Sequence, residues 1–254
     1  MDIYNYLVIT AQLISKSYFR DKIIFKGASV LVSKLIQCGR QDLYRQTSDL
    51  DIHCDSKEVW ESFCSSIESI LNSNDKGLRY KLKSRRSDTK GLRDSDSLKF
   101  DVFDSSNNFS FEIKMDMYIK SNQIIICDYS PILNMRTYDL YTMLSDKIVA
   151  VSSGKIYRRI KDVYDLAVLA SISNYNLADI VKHLRVKHPD DELINYLTMD
   201  NIEAISHAYD KFSGIRNKPN IYDLIAVDTS FLQPVYSNVQ RNMIWNWRTV
   251  QWEA

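Results

Sequence analysis

Between Leu78 and Cys127 apolar and polar residues alternate with period two in four runs, and after Pro131 the spacing changes to that of helices. That change of period predicts a chain with a sheet in its first half and helices in its second. The runs are Leu78–Lys83, Leu98–Phe103, Phe109–Ile119 and Gln123–Cys127, with turn-like clusters at 105–108 and 121–122. Upstream, 2–20, 28–37 and 57–72 carry helical spacing, while 22–25 and 49–54 read as short strands. Downstream, 139–153, 159–173 and 176–186 read as helices, and the remainder as mostly helical with aromatics. The expected class is therefore α/β or α+β, a mixed sheet flanked by helices and followed by a helical half. The expected domains are 1–135 and 136–254.

Composition narrows the function classes. With 33 Lys+Arg against 32 Asp+Glu in 254 residues the net charge is +1, which excludes a uniformly basic nucleic-acid coat. No apolar run approaches the roughly 18 residues of a membrane helix, and MDIYNYLVITAQ has no Lys or Arg ahead of its apolar stretch. The N-terminus thus does not read as a secretory signal. Cys38, Cys54, Cys64 and Cys127 are far apart, without CxxC or a flanking His pair, so buried, reduced thiols in a cytoplasmic protein are expected rather than a zinc site.

The residues most able to carry chemistry are Asp49 and Asp51. On a strand, positions i and i+2 project to one face, so both carboxylates point the same way while Leu50 and Ile52 face a core. Two such acids either stand solvated at a strand edge or share a cation, for which a divalent metal is suited. Asp116 lies in the otherwise apolar alternation of 111–119, where a carboxylate needs a metal, a cation or water. Glu112 and Lys114 share its face, so a structural Lys114–Asp116 pair is the competing account. If 111–119 pairs beside 49–54, three acids converge in the ligand set of two-metal phosphoryl or nucleotidyl transfer. Lys26-Gly27-Ala28-Ser29, between a strand and a helix, offers backbone N–H groups and a hydroxyl to phosphate oxygens. It equally suits an ordinary capped turn.

The Gly27-Ala28-Ser29 turn, then Arg45-Gln46-Thr47-Ser48-Asp49-Leu50-Asp51, then the lone strand Asp116 resemble the nucleotidyltransferase superfamily. Asp146-Lys147-Ile148-Val149-Ala150, followed by the run from Arg159 to Leu166, is similar to the AbiEii-type toxins, which include the MenT toxins, of toxin–antitoxin and abortive-infection systems. The resemblance spans about 22–172. Two features depart from the family pattern: Ala28 where a second glycine is usual, and the long spacing created by Leu35 to Gln46.

The resemblance implies that Gly27 and Ser29 hold the triphosphate of an NTP and that Asp49, Asp51 and Asp116 ligate Mg2+ or Mn2+. Asp116 would also take the proton of the attacking hydroxyl. Lys147, which by spacing alone reads as a lysine covering apolar surface with its stem, becomes a nucleotide-binding cation. Asp162 matches the functional aspartate of the family. Asp165 is expected to pair with Arg158, Arg159 or Lys161. The resemblance further implies a toxin transferring NMP to an acceptor, plausibly a tRNA 3′ end, checked by a separate antitoxin protein.

Lys76–Arg93 carries eight Lys or Arg against one Asp. It reads either as a track for an RNA acceptor, with Lys81, Lys83, Arg85 and Arg86 on phosphates and Tyr80 stacking a base, or as a solvated ribbon. His53 follows the aspartate pair, where a structural role is expected over a nucleotide contact. Trp245, Trp247 and Trp252 are expected to pack on the helical half. A small-molecule nucleotidyltransferase and a catalytically silent nucleotide- or RNA-binding module of the same fold are the alternatives.

Overall fold

The computed structural model describes residues 3–87, 95–119, 125–215, 217–237 and 242–254. The end of the basic segment (88–93), the 121–122 turn and the start of the run at 123 lie outside these residues. The chain divides into two compact units, one of 1–34 with 46–138 and the other of 35–45 with 139–254. Segment 35–45 thus belongs with the helices, which a contiguous cut at 135/136 does not provide for.

In the first unit, α1 (Ile3–Ser15) leads through a 3-10 turn at Tyr18–Asp21 into β1 (Ile23–Lys26), and α2 (Gly27–Gln37) begins at once. The single helix expected over 2–20 stops at Ser15, because Ser17 caps the turn by accepting a hydrogen bond from Phe19 N. β2 (Asp49–Cys54) and α3 (Lys57–Asn72) follow, then β3 (Arg79–Ser87), β4 (Ser95–Phe103), β5 (Phe109–Ile119), β6 (Cys127–Ser130) and β7 (Met135–Tyr138). Among the described residues they form a seven-stranded sheet in the order β3-β4-β5-β2-β1-β7-β6. It is mixed: β2 runs parallel to β5 and β1 parallel to β7, and the other pairs are antiparallel. Strand β7 and most of β6 are absent from the sequence expectation, which ends its last strand at Cys127 and reads helical spacing after Pro131.

Alternation decides the core. Leu50, Ile52, Phe100, Val102, Ile113, Met115 and Met117 are wholly buried on one face. Helices α1 and α3 cover it, with Trp60 and Phe63 stacked and Trp60 Nε1 donating to Asp96 at 2.6 Å. Each buried aliphatic or aromatic side chain contributes on the order of 1.5–3 kcal/mol.

The second unit comprises α4 (Leu140–Val151), α5 (Ile160–Ala170), α6 (Leu177–Lys187), α7 (Met199–Lys211) and α8 (Ile221–Tyr236). It also has a small antiparallel sheet of β8 (Tyr175–Asn176), β9 (Ile244–Asn246) and β10 (Gln251–Glu253). The C-terminal segment is therefore a hairpin rather than helix. Trp245 is fully buried, edge-on to Phe231, and donates from Nε1 to the Ala170 carbonyl at 2.7 Å; Trp252 stacks on Phe231. Asp228 on α8 is buried with neither carboxyl oxygen hydrogen-bonded among the described residues, and burial pushes its pKa well up. Cys54 is buried, Cys64 and Cys127 are half-buried and Cys38 is exposed, against the expectation of four buried thiols, and none of the four is in a disulfide among the described residues. No helix among the described residues is long and apolar enough to cross a membrane.

Candidate active site

The parallel pairing of β2 with β5 sets Asp51 opposite Asp116 and Asp49 opposite Lys114. Adjacent strands lie about 4.8 Å apart, and paired residues share a face, so Asp49, Asp51 and Asp116 stand on one side of two neighbouring strands. Leu50 and Ile52, wholly buried, fix which side that is: a one-residue slip would cost their burial. The pairing that the three-acid arrangement requires is thus formed.

Lys114 stands among these acids. It pairs directly with Asp116, as its position two residues earlier on the same strand allows. Burial opposes its charge, but Asp116, and beyond it Asp49 and Asp51, hold its pKa above the ordinary lysine value. The competing Lys114–Asp116 pair is therefore present together with the acid cluster. Among the described residues no three Asp, Glu, His or Cys side chains form a ready-made ion cage. The donor chemistry of the face still fits a hard divalent cation, since three carboxylates supply oxygen ligands only.

Gly27 opens α2 with φ +73°, a conformation that disfavours any residue with a Cβ. The space is equally restrictive: a Cβ there would lie 1.9 Å from Asp51 Oδ2. The glycine that turns β1 into α2 therefore also lets the Asp51 carboxylate approach the start of the helix. Ser29, in the first turn of α2, is buried, and its Oγ has no hydrogen-bond partner among the described residues. A donor left so at a helix N-terminus fits an anionic oxygen.

The helical unit holds a second charged cluster. Lys147 on α4 lies 2.6 Å from Asp162 Oδ1 and 2.8 Å from Asp165 Oδ2, both on α5. Asp165 also accepts from Arg45 Nε at 2.6 Å and Arg45 Nη2 at 2.8 Å. It is fully buried; burial alone would raise its pKa, but Lys147 and Arg45 hold it down at about 2. Arg159 reaches Asp162 at 3.7 Å instead. The expected partners of Asp165 are thus corrected: one turn beyond Asp162, it faces inward toward Arg45, 120 residues away, and not the surface cations of its own helix. In the sequence Arg45 carries one signal, its place as the arginine of the run before Asp49.

The basic segment is less available than its composition suggests. Lys83 is 2.8 Å from Glu112 and 3.3 Å from Asp101, and Arg85 is 2.8 Å from Glu61 and 3.4 Å from Asp96. Lys83 and Lys99 together hold the Glu112 carboxyl down at about 2. Lys81 and Arg86 are exposed. Tyr80 cannot stack a base: alternation turns it into the core, 1% exposed, with its hydroxyl 3.1 Å from Thr10. His53 is buried, with Nδ1 3.1 Å from the Tyr138 hydroxyl and Nε2 3.3 Å from Asp55.

Comparison with known proteins gives the frame for this geometry. JHP933 from Helicobacter pylori shares the fold at a TM-score of 0.56 and 14% identity, over 92% of this chain and 90% of that one. A candidate nucleotidyltransferase from H. pylori does so at 0.59 and 13%, over 94% and 97%. A search of curated proteins finds no significant match. The family model described as the nucleotidyl transferase AbiEii toxin of type IV toxin–antitoxin systems matches residues 9–227. The chain, with its mixed sheet and its acids on β2 and β5, belongs to the AbiEii nucleotidyltransferase toxin family.

Proposed function

We propose that the protein is a divalent-metal-dependent nucleotidyltransferase that moves NMP from an NTP to an RNA acceptor such as a tRNA 3′ end, and is held in check by an antitoxin protein. The observation that carries this reading is the register that sets Asp51 beside Asp116, with Asp49 on the same face, in a chain of this family.

Asp49, Asp51 and Asp116 would hold Mg2+ or Mn2+, which offsets phosphate charge and lowers the pKa of the attacking hydroxyl. The N–H groups opening α2 and the Ser29 hydroxyl take phosphate oxygens, and Gly27 keeps that approach clear. Asp116 takes the acceptor's proton as its oxygen bonds to the α-phosphorus and the bond to pyrophosphate breaks. Lys147 and Asp162, which the family likeness also implicates, lie together on α4 and α5 of the second unit, where Lys147 is paired with both Asp162 and Asp165.

The test supplies Mg2+ or Mn2+, each α-labelled NTP and total cellular RNA to the wild type and to the Asp49→Ala/Asp51→Ala variant. Label is expected in RNA with the wild type, and at least about 100-fold less with the variant. NTP that is neither bound nor consumed by folded wild type would overturn the reading in favour of a silent binding module. A small-molecule acceptor is the second reading, favoured by the pairing of Lys83 and Arg85 with acids and by the burial of Tyr80. Consumption of NTP with no label in RNA would select it.

A further inference from the structure

Carboxylates gathered on one face repel each other, and a protein that keeps them together without an ion needs another cation. Here the cation is part of the chain. Alternation puts Glu112, Lys114 and Asp116 on the same side of β5. Glu112 is already taken by Lys83 at 2.8 Å and Lys99 at 2.9 Å, so Lys114 has no rival demand from its own strand and turns to Asp116. Across the sheet it is in register with Asp49. Its ammonium therefore occupies an Asp116 oxygen that a divalent ion would need, and two cations competing for one acidic face also repel each other.

We propose that Lys114 is a resident counter-ion of the acidic face, one that disfavours a divalent ion alone and yields when a nucleotide's polyphosphate offers its ammonium other oxygens. Ion and nucleotide then bind together, each tightening the other. Lys114 acts through the acids and is a positioning residue. This inference rests on the reading of Asp49, Asp51 and Asp116 as the ion-holding set.

The position permits the test, because the Lys114 side chain is 36% exposed and its removal leaves no cavity in the core. Mn2+ binding is measured by electron paramagnetic resonance on the full chain, with and without a non-hydrolysable α,β-methylene NTP. Wild type, Lys114→Met, Lys114→Gln and Lys114→Arg are compared. Wild type is expected to bind Mn2+ alone weakly and to gain about tenfold or more when the analogue is added. Lys114→Met and Lys114→Gln are expected to bind Mn2+ alone about tenfold tighter than wild type and to lose most of that gain. Lys114→Arg keeps the charge and is expected to behave like wild type. Equal or weaker Mn2+ affinity in both neutral variants overturns the counter-ion role while leaving the acids as ion ligands. Absence of Mn2+ binding in every protein, even with the analogue, overturns the ligand reading and this inference together.

Discussion

At Gly27 a missing side chain serves two purposes at once. The backbone is left-handed, which costs a residue with a Cβ about 1–2 kcal/mol, and the Cβ would also displace the Asp51 carboxylate. Gly27→Ala is therefore expected to lower the melting temperature by at least about 2–4 °C, measured by differential scanning calorimetry. It is also expected to reduce transfer activity beyond what that loss of stability explains; an unchanged melting temperature would show that the turn tolerates a Cβ. The residue types of this site were legible in the sequence, since glycine before a helix and acids two apart on a strand are local patterns. The closeness of the Asp51 carboxylate to Gly27 was not, because it depends on β1 pairing with β2 so that Lys26 lies opposite Asp51.

At the scale of elements, helices α4 and α5 are joined by charge as well as by apolar packing. Asp165 has a pKa of about 2 in the fold against about 3.9 when unfolded. A depressed carboxyl stabilises the folded state above its unfolded pKa, and that contribution disappears as pH falls through the folded value. The wild type is accordingly expected to lose stability between about pH 4 and pH 2, seen as a falling denaturation midpoint. Asp165→Asn should remove this component of the acid loss. At neutral pH it should cost about 3–5 kcal/mol, because Arg45 and Lys147 lose a buried carboxylate between them. A variant with the wild-type midpoint at pH 7 would mean that the network contributes nothing net. The helices were legible to within a few residues from their periodicity. Their partners were not, because the 3.6-residue repeat reports which face is apolar and is silent on which distant arginine meets a buried aspartate.

For the whole molecule, the decisive feature is that the second unit is discontinuous in sequence. It includes 35–45, and Arg45 from that segment completes the pairing of Asp165. A fragment of 139–254 alone therefore retains a buried aspartate without its arginine. It is expected to show no cooperative thermal transition by circular dichroism under conditions where the full chain does; a sharp, full-chain-like transition would show that 35–45 is dispensable for that unit. The long spacing between Ser29 and Asp49 thus has a structural account, since the chain contributes a segment to the helical unit before it forms β2.

Local chemistry along the chain suffices for the alternation that buries Leu50, Ile52, Met115 and Met117, for the common face of Asp49 and Asp51, and for the glycine turn before a helix. All of these are set by backbone geometry within a few residues. That β5 neighbours β2, that Asp116 stands opposite Asp51, that Lys114 lies among the acids, that Tyr80 is core and that Asp165 binds Arg45 came from long-range packing. Strand order and register follow from apolar burial summed over the whole sheet, and buried ion pairs from which distant segments that burial brings together.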